Sequence, residues 1–352
     1  MNGITIVGTG RYLPGKPVMN DALARVMDTS DEWIRARTGI AQRHFADDGE
    51  GPSDLAVEAC KVAFDDAGIA PNDVDYVIFA TMTPEHFFPG SGPLLGAKLG
   101  IRGTPALDIR QQCAAIPYAL QLANSLVQSG AAETILLVGA EVHAGFMPWN
   151  DWDLVRGEGD GDVPREAFER ANRHRGLAVV FGDGASAMVL RPSPSPDRGY
   201  IGAELHSDGD AFDHLFVPGV GFRHIPYVTE ASLRADEHIP RMQGPSLLKK
   251  AARTLSRTVR SICKAHGITQ DDVDCFIAHQ ANDRINGAVR EILKIPIEKM
   301  PSNIARYGNT SAATIGILTD ELRRERRIQE GDLLCFLALG AGLNWGAALM
   351  RL

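Results

Sequence analysis

Long apolar runs alternate with amphipathic stretches along the first half of the chain. Residues 53–68 place apolar side chains on one side of a helical pattern, and residues 75–81 and 133–140 are nearly continuous apolar runs. Such runs are typical of strands covered on both faces, and the alternation predicts an α/β layered fold. A shorter helix is predicted over 28–40, with Thr29 and Glu32 at capping-box spacing.

A cysteine marks the point where an apolar strand pattern meets an apolar helix. After Cys113, Ile116, Leu120 and Val127 recur at helical spacing, so the sulfur is predicted at a helix start. The positive end of the helix dipole favours a thiolate, which is a good nucleophile. The alternative is that Cys113 is a small buried apolar residue, the commoner role of cysteine.

An internal repeat brings two further residues into the argument. Residues 67–80 align without gaps on residues 266–279 at an offset of 199, sharing Gly-Ile and Asp-Val-Asp, and residues 134–140 match 335–341 at nearly the same offset. Two similar halves are therefore predicted, with equivalent strand ends and helix starts meeting at their shared axis. This arrangement would bring Cys113, His279 and Asn309 together.

The two predicted halves differ in length. We expect a first half over residues 1–192, with a long insertion around 141–178, and a second half over 193–352, separated by the Pro/Ser-rich stretch Arg191–Gly199. Insertions of this length usually cover a site or contact a partner.

Composition narrows the setting of the protein. The 352 residues are 44% hydrophobic and carry a net charge of −8, which argues against general nucleic-acid binding. The five cysteines show no metal-ligand spacing, and no stretch is apolar enough to cross a membrane, so we expect a cytoplasmic protein. Residues 244–266 carry only basic charges, and 250, 253, 257 and 260 form one helical stripe. This stripe is either a solvated face or a dock for an acidic partner.

Cysteine, histidine and asparagine together suit thioester chemistry. The Cys113 sulfur could accept an acyl group while backbone amides of Cys113 and of the Gly340–Gly342 turn bind the oxyanion. His279 and Asn309 could then donate hydrogen bonds to the enolate formed when a malonyl thioester loses carbon dioxide. Taken singly, they could equally be a strand-end histidine and a turn asparagine.

Five segments carry a family resemblance. Residues 28–40, 181–185, 279–282, 308–313 and 345–348 resemble β-ketoacyl-acyl-carrier-protein synthase III of the thiolase superfamily, over essentially the whole chain. The resemblance implies a thiolase fold with duplicated βαβαβαββ halves in a five-layered αβαβα arrangement, and a homodimer acting in fatty acid biosynthesis. It also implies condensation of an acyl-CoA starter with malonyl-carrier protein, with no cofactor and with coenzyme A as part of the substrate.

The same resemblance assigns individual roles. Cys113 is the nucleophile, His279 and Asn309 are the decarboxylation pair, and Cys113 and Ala341 supply the oxyanion amides. The remaining roles concern partners: Thr29, Trp33 and Arg37 contact coenzyme A, Lys249 and Arg284 dock the carrier protein, and Phe88 reaches the acyl pocket of the partner subunit.

Some positions depart from the family pattern. Ala114–Pro117 and Ala341 replace the usual residues, which predicts a reshaped acyl pocket and a longer or unusual starter. Two alternatives stay open: an acyltransferase that moves the acyl group from Cys113 to a hydroxyl, amine or second acyl acceptor, and a catalytically silent partner subunit.

Overall fold

The computed structural model describes residues 3–352, except for the side chains of residues 245, 246 and 249. The strands are β1 (Ile4–Tyr12), β2 (Val18–Met19), β3 (Gln42–Arg43), β4 (Tyr76–Ala80), β5 (Ala106–Ile109), β6 (Ile135–Glu141), β7 (Gly184–Pro192), β8 (Gly199–Ser207), β9 (Leu215–Phe216), β10 (Arg241–Met242), β11 (Cys275–Ala278), β12 (Leu333–Gly340) and β13 (Asn344–Arg351).

The α-helices vary from single turns to six turns. They are α1 (Asn20–Leu23), α2 (Asp31–Thr38), α3 (Pro52–Ala67), α4 (Ser91–Leu99), α5 (Ala115–Gln128), α6 (Trp152–Arg156), α7 (Arg165–Arg173), α8 (Arg175–Ala178), α9 (Glu230–Arg234), α10 (Gly244–Ala265), α11 (Asp283–Leu293), α12 (Ile304–Tyr307) and α13 (Thr314–Arg324). Among the described residues, no helix is both long and apolar enough to span a membrane.

Two mixed sheets repeat one topology. The first has the strand order β1-β7-β6-β4-β5 and the second β8-β13-β12-β11. In each sheet the first three strands are antiparallel neighbours and the next pair is parallel. The predicted duplication is therefore confirmed. The second sheet has no counterpart of β5 among the described residues; at that edge, the Ala278 carbonyl accepts a hydrogen bond from the Gln280 side chain.

The sheets enclose a shared layer of two helices. Ile78 of β4, Leu137 of β6 and Phe336 of β12 point inward and pack with α5 and α13 in one buried cluster. Alternate residues of the same strands point outward: those of the first sheet pack on α3 and α4, and those of the second on α10 and α11. Because side chains alternate across a strand, both faces of each sheet are buried, and the result is the predicted αβαβα order.

Most predicted elements form close to their predicted limits. Helix α3 begins at Pro52, a favoured first-turn residue, and ends before Gly68, whose φ is +64°. The predicted cap of α2 is wrong: Ser30, not Thr29, caps it, its hydroxyl accepting from the Trp33 amide at 3.1 Å. Ser30 takes this role because it directly precedes the first helical residue.

The insertion around 141–178 forms α6, α7 and α8. Its buried side chains, including Trp149 and Leu154, pack with those of α1 and α2 in a separate apolar cluster beside the sheets. The division of the chain at residue 192 stays a prediction, since both halves contribute to the central helical layer.

Candidate active site

One cavity gathers the residues that the repeat brought together. It has a volume of about 910 Å³, and Cys113, His279, Asn309, Gly340 and Ala341 all line it. Asn309 forms a parallel β-bridge with Phe181, which lies in the segment just before β7. The geometry therefore places the three side chains at one site, while their catalytic roles remain predictions.

Cys113, the predicted nucleophile, lies in a single 3₁₀ turn, Gln112–Ala114, that leads into α5. Its sulfur is 3.3 Å from the Ser311 hydroxyl and only 5% of the residue is exposed. Burial raises the pKa of Cys113 to about 12; a hydrogen bond from Ser311 lowers the pKa, and the nearby Glu141 carboxylate raises it. The expectation that the helix start favours a thiolate is not met in the free protein, because the low-dielectric surroundings outweigh the dipole.

The turn between β12 and β13 packs closely against Cys113 and Ala114. A Cβ at Gly340 would lie 2.9 Å from the backbone nitrogens of both Cys113 and Ala114, so only glycine allows this approach. Ala341 follows directly and lines the cavity, which puts the two predicted oxyanion amides on neighbouring segments.

Asn309 is fixed through its backbone and its side-chain oxygen. Its amide donates to Val180 O at 3.0 Å, and its carbonyl accepts from Gly182 N at 3.1 Å. The side-chain Oδ1 accepts from Ser311 N at 2.8 Å, so the amide nitrogen Nδ2 is the group left to donate elsewhere. The backbone and Oδ1 contacts thus hold the asparagine in place and leave Nδ2 as its remaining donor.

His279 follows β11 and is 5% exposed. Its Nδ1 is 2.6 Å from the Thr314 hydroxyl at the start of α13, while its Nε2 is buried and has no hydrogen-bond partner within the described part of the chain. Burial lowers the pKa of His279 to about 3, so the ring is neutral at physiological pH.

Glu141, at the end of β6, is a buried carboxylate that supports the segments forming the site. The sequence analysis did not predict it. It accepts hydrogen bonds from Thr81, Met82 and Thr83 and, at 3.4 Å, from the Ala312 amide. It therefore ties the end of β4 to the turn that carries Ser311. The sequence signal that could have revealed Glu141 was an acidic residue at the end of an apolar strand.

Comparison with known proteins identifies the family. Residues 107–162 match the 3-oxoacyl-[acyl-carrier-protein (ACP)] synthase III family model, and residues 263–352 match the model of its C-terminal part. The chain is 38% identical over 346 residues to a β-ketoacyl-[acyl-carrier-protein] synthase III of Rickettsia canadensis, covering 98% of both chains. The chain belongs to the 3-oxoacyl-ACP synthase III family. The family predicted from the sequence, and with it the condensing-enzyme function, is confirmed.

Solved structures of synthase III proteins agree with this identification. The crystal structure of 3-oxoacyl-[acyl-carrier-protein] synthase III from Aquifex aeolicus has a TM-score of 0.83 and 34% identity, covering 99% of this chain and 100% of that one. The priming β-ketosynthase of the R1128 polyketide pathway has a TM-score of 0.84 and 27% identity, covering 99% of this chain and 96% of the other. The thiolase fold of the synthase is thereby confirmed.

The residues predicted to contact coenzyme A differ in their positions. Trp33 and Arg37 line the cavity of the synthase, whereas Thr29 is not among its lining residues. The Arg37 guanidinium lies 4.3 Å from the centre of the Trp33 ring, and that of Arg175, from the insertion, lies 4.4 Å from it. Arg175 was missed because nothing local in the sequence links residue 175 to residue 33.

Of the two residues predicted to dock a carrier protein, one is found at this cavity. Arg284 lines it, while the Lys249 side chain lies outside the described residues. Arg253 and Arg257 on α10 are exposed and have no ion-pair partner among the described residues, but Lys250 pairs with Asp208 at 2.8 Å. The basic stripe is thus exposed and partly neutralised.

Two predictions about the acyl pocket meet different outcomes. Phe88 is 80% exposed and does not line the cavity of its own chain, so any contact it makes would be with another molecule. Residues 114–117 are buried against the core, and none of them lines the cavity. Apolar side chains that do line it include Phe181, Leu215 and Leu339. The idea that residues 114–117 shape the pocket directly therefore finds no support in the geometry.

Proposed function

We propose that Cys113, His279 and Asn309 carry out the decarboxylative condensation of an acyl-CoA starter with a malonyl-carrier protein. The observation that carries the proposal is their meeting in one cavity, together with the fixed donor geometry of Asn309 and the unpartnered Nε2 of His279. Membership of the synthase III family supports the reaction class.

In the first half-reaction, the Cys113 sulfur attacks the thioester carbonyl of acyl-CoA. The carbon–sulfur bond to coenzyme A breaks, and the proton of the Cys113 thiol ends on the departing coenzyme A sulfur. The oxyanion that forms in between is held by the backbone amides of Cys113 and Ala341. Ser311, 3.3 Å from the sulfur, supplies a hydrogen bond that favours the developing thiolate.

In the second half-reaction, the bond between the malonyl α-carbon and its carboxylate breaks, and carbon dioxide leaves. The electron pair moves into an enolate whose oxygen accepts hydrogen bonds from His279 Nε2 and Asn309 Nδ2. The enolate carbon then attacks the acyl carbonyl on Cys113, and the bond from that carbonyl to the sulfur breaks as the β-ketoacyl product forms. The sulfur leaves as a thiolate and regains its proton from solvent. A neutral histidine suits this step, since it donates a hydrogen bond to the enolate without transferring its proton.

Side chains in the cavity wall and next to it support the substrate assignment. Trp33 provides an aromatic face, and Arg37 and Arg175 beside it provide cations for phosphate groups. In this proposal, coenzyme A enters as part of the substrate and not as a resident cofactor. The exposed Arg253, Arg257 and Arg284 would receive an acidic carrier protein.

Two further proposals concern the assembly and the compartment. The exposed rings of Phe87, Phe222 and Tyr227 pack together next to Phe88, with ring centres 5.3–5.7 Å apart, and support a homodimer interface at this surface. The five unpaired, buried cysteines support a reducing compartment, the cytoplasm.

The test is covalent loading of the protein by labelled acyl-CoA, followed by intact mass. We expect one acyl adduct on the native protein and none on Cys113→Ala. Equal labelling of the two proteins would refute the nucleophile, and a screen of acyl chain lengths would identify the starter.

Release of carbon dioxide from malonyl-carrier protein distinguishes the remaining alternatives. We expect release, whereas an adduct without any release would favour acyl transfer to another acceptor. No adduct and no release would favour a silent subunit.

A further inference from the structure

The ring of His279 lies between the cavity and the start of α13. Nδ1 faces the Thr314 hydroxyl at 2.6 Å, and Nε2 is buried without a partner among the described residues. A neutral imidazole carries one proton, on either nitrogen. The position of that proton decides whether Nε2 donates to a ligand in the cavity or accepts from it.

Thr314 has one hydroxyl proton and two acceptors within reach. Besides His279 Nδ1 at 2.6 Å, the Ser311 carbonyl lies 3.0 Å from the hydroxyl. The same carbonyl already accepts a hydrogen bond from the backbone amide of Thr314, at the end of the Ser311–Ala313 turn. The carbonyl has two lone pairs and can accept from both groups, but the hydroxyl has a single proton to donate. The shorter contact, 2.6 Å against 3.0 Å, favours the imidazole as its acceptor.

Burial makes this contact decisive. Thr314 and His279 are 3% and 5% exposed, so solvent does not compete for Nδ1. Since solvent cannot replace it, the Thr314 hydroxyl proton is what stabilises a lone pair on Nδ1, and it thereby favours the tautomer protonated on Nε2.

We propose that Thr314 is a positioning residue whose hydroxyl donates to Nδ1 of His279 and thereby keeps the imidazole proton on Nε2, aimed at the enolate oxygen. The inference deepens the proposed function and rests on it. Without the hydroxyl, Nδ1 takes the proton itself or stays unsatisfied. Nε2 then presents a lone pair that repels the enolate, while loading of Cys113 continues through the backbone amides.

The experiment compares Thr314→Val, which keeps the shape of the side chain and removes the hydroxyl, with Thr314→Ser, which restores it. For Thr314→Val we expect carbon dioxide release to fall about 100-fold, the usual loss for one oxyanion donor, with acyl loading of Cys113 changed by less than about twofold. Thr314→Ser should recover most of the release. Release within about threefold of native in Thr314→Val would overturn the proposal.

A spectroscopic measurement tests the tautomer directly. In protein labelled with ¹⁵N-histidine, the His279 signal, assigned by its loss in His279→Gln, should show a protonated Nε2 in the native protein and in Thr314→Ser. A native Nδ1–H tautomer would refute the proposal even if Thr314→Val failed to fold. Failure of the proposed function itself is distinguishable, because the native protein would then load no acyl group or release no carbon dioxide.

Discussion

At the residue scale, the reactivity of Cys113 depends on one hydroxyl. Because the Ser311 hydrogen bond lowers the pKa of the thiol, Ser311→Ala should raise it and leave less thiolate at a given pH. We expect alkylation by iodoacetamide at pH 8 to slow by about three- to tenfold, the worth of one hydrogen bond, and its pH profile to move upward.

Backbone strain is the competing explanation for that effect, since Ser311 has a φ of +48°. Ser311→Gly removes the hydroxyl and relieves the strain, so it should slow alkylation as Ser311→Ala does. A native rate in Ser311→Gly would show that backbone conformation, and not the hydroxyl, controls the thiol. Cys113→Ala gives the background rate.

At the scale of elements, the β12–β13 turn and the start of α5 depend on each other. Gly340→Ala would place a Cβ 2.9 Å from two backbone nitrogens and force the turn away from the nucleophile. We expect a loss of roughly 1–3 kcal/mol in the free energy of unfolding, measured with denaturant, together with slower acyl loading of Cys113. Gly145→Ala is the matched control, because a Cβ there meets no atom within 4 Å. Unchanged loading in Gly340→Ala would contradict the close packing.

At the scale of the whole molecule, charge is distributed unevenly. The chain has a net charge of −8, yet Arg253 and Arg257 lie exposed on a helix whose charged residues are all basic. Arg257→Glu should raise the KM for malonyl-carrier protein by about tenfold at low salt, less at high salt, and leave loading by acyl-CoA unchanged. Lys61→Glu on α3, in the opposite outer layer, makes the same change of charge and should have no effect. An equal rise in both variants would mean that total charge, and not this stripe, attracts the carrier.

The sequence by itself determined the fold and the location of the site. The apolar runs specified strands buried on both faces, and the repeat placed Cys113, His279 and Asn309 at equivalent strand ends and helix starts. These features follow from local pattern and from symmetry, which a sequence carries directly.

Only the tertiary structure decided the chemical state of these groups. The protonated Cys113, the neutral His279, the support from Glu141 and the stacking of Arg175 on Trp33 all depend on burial or on contacts between residues far apart in the chain. Desolvation and hydrogen bonding set the ionisation state and the proton position of each group. Both desolvation and hydrogen bonding are determined by how the folded chain packs.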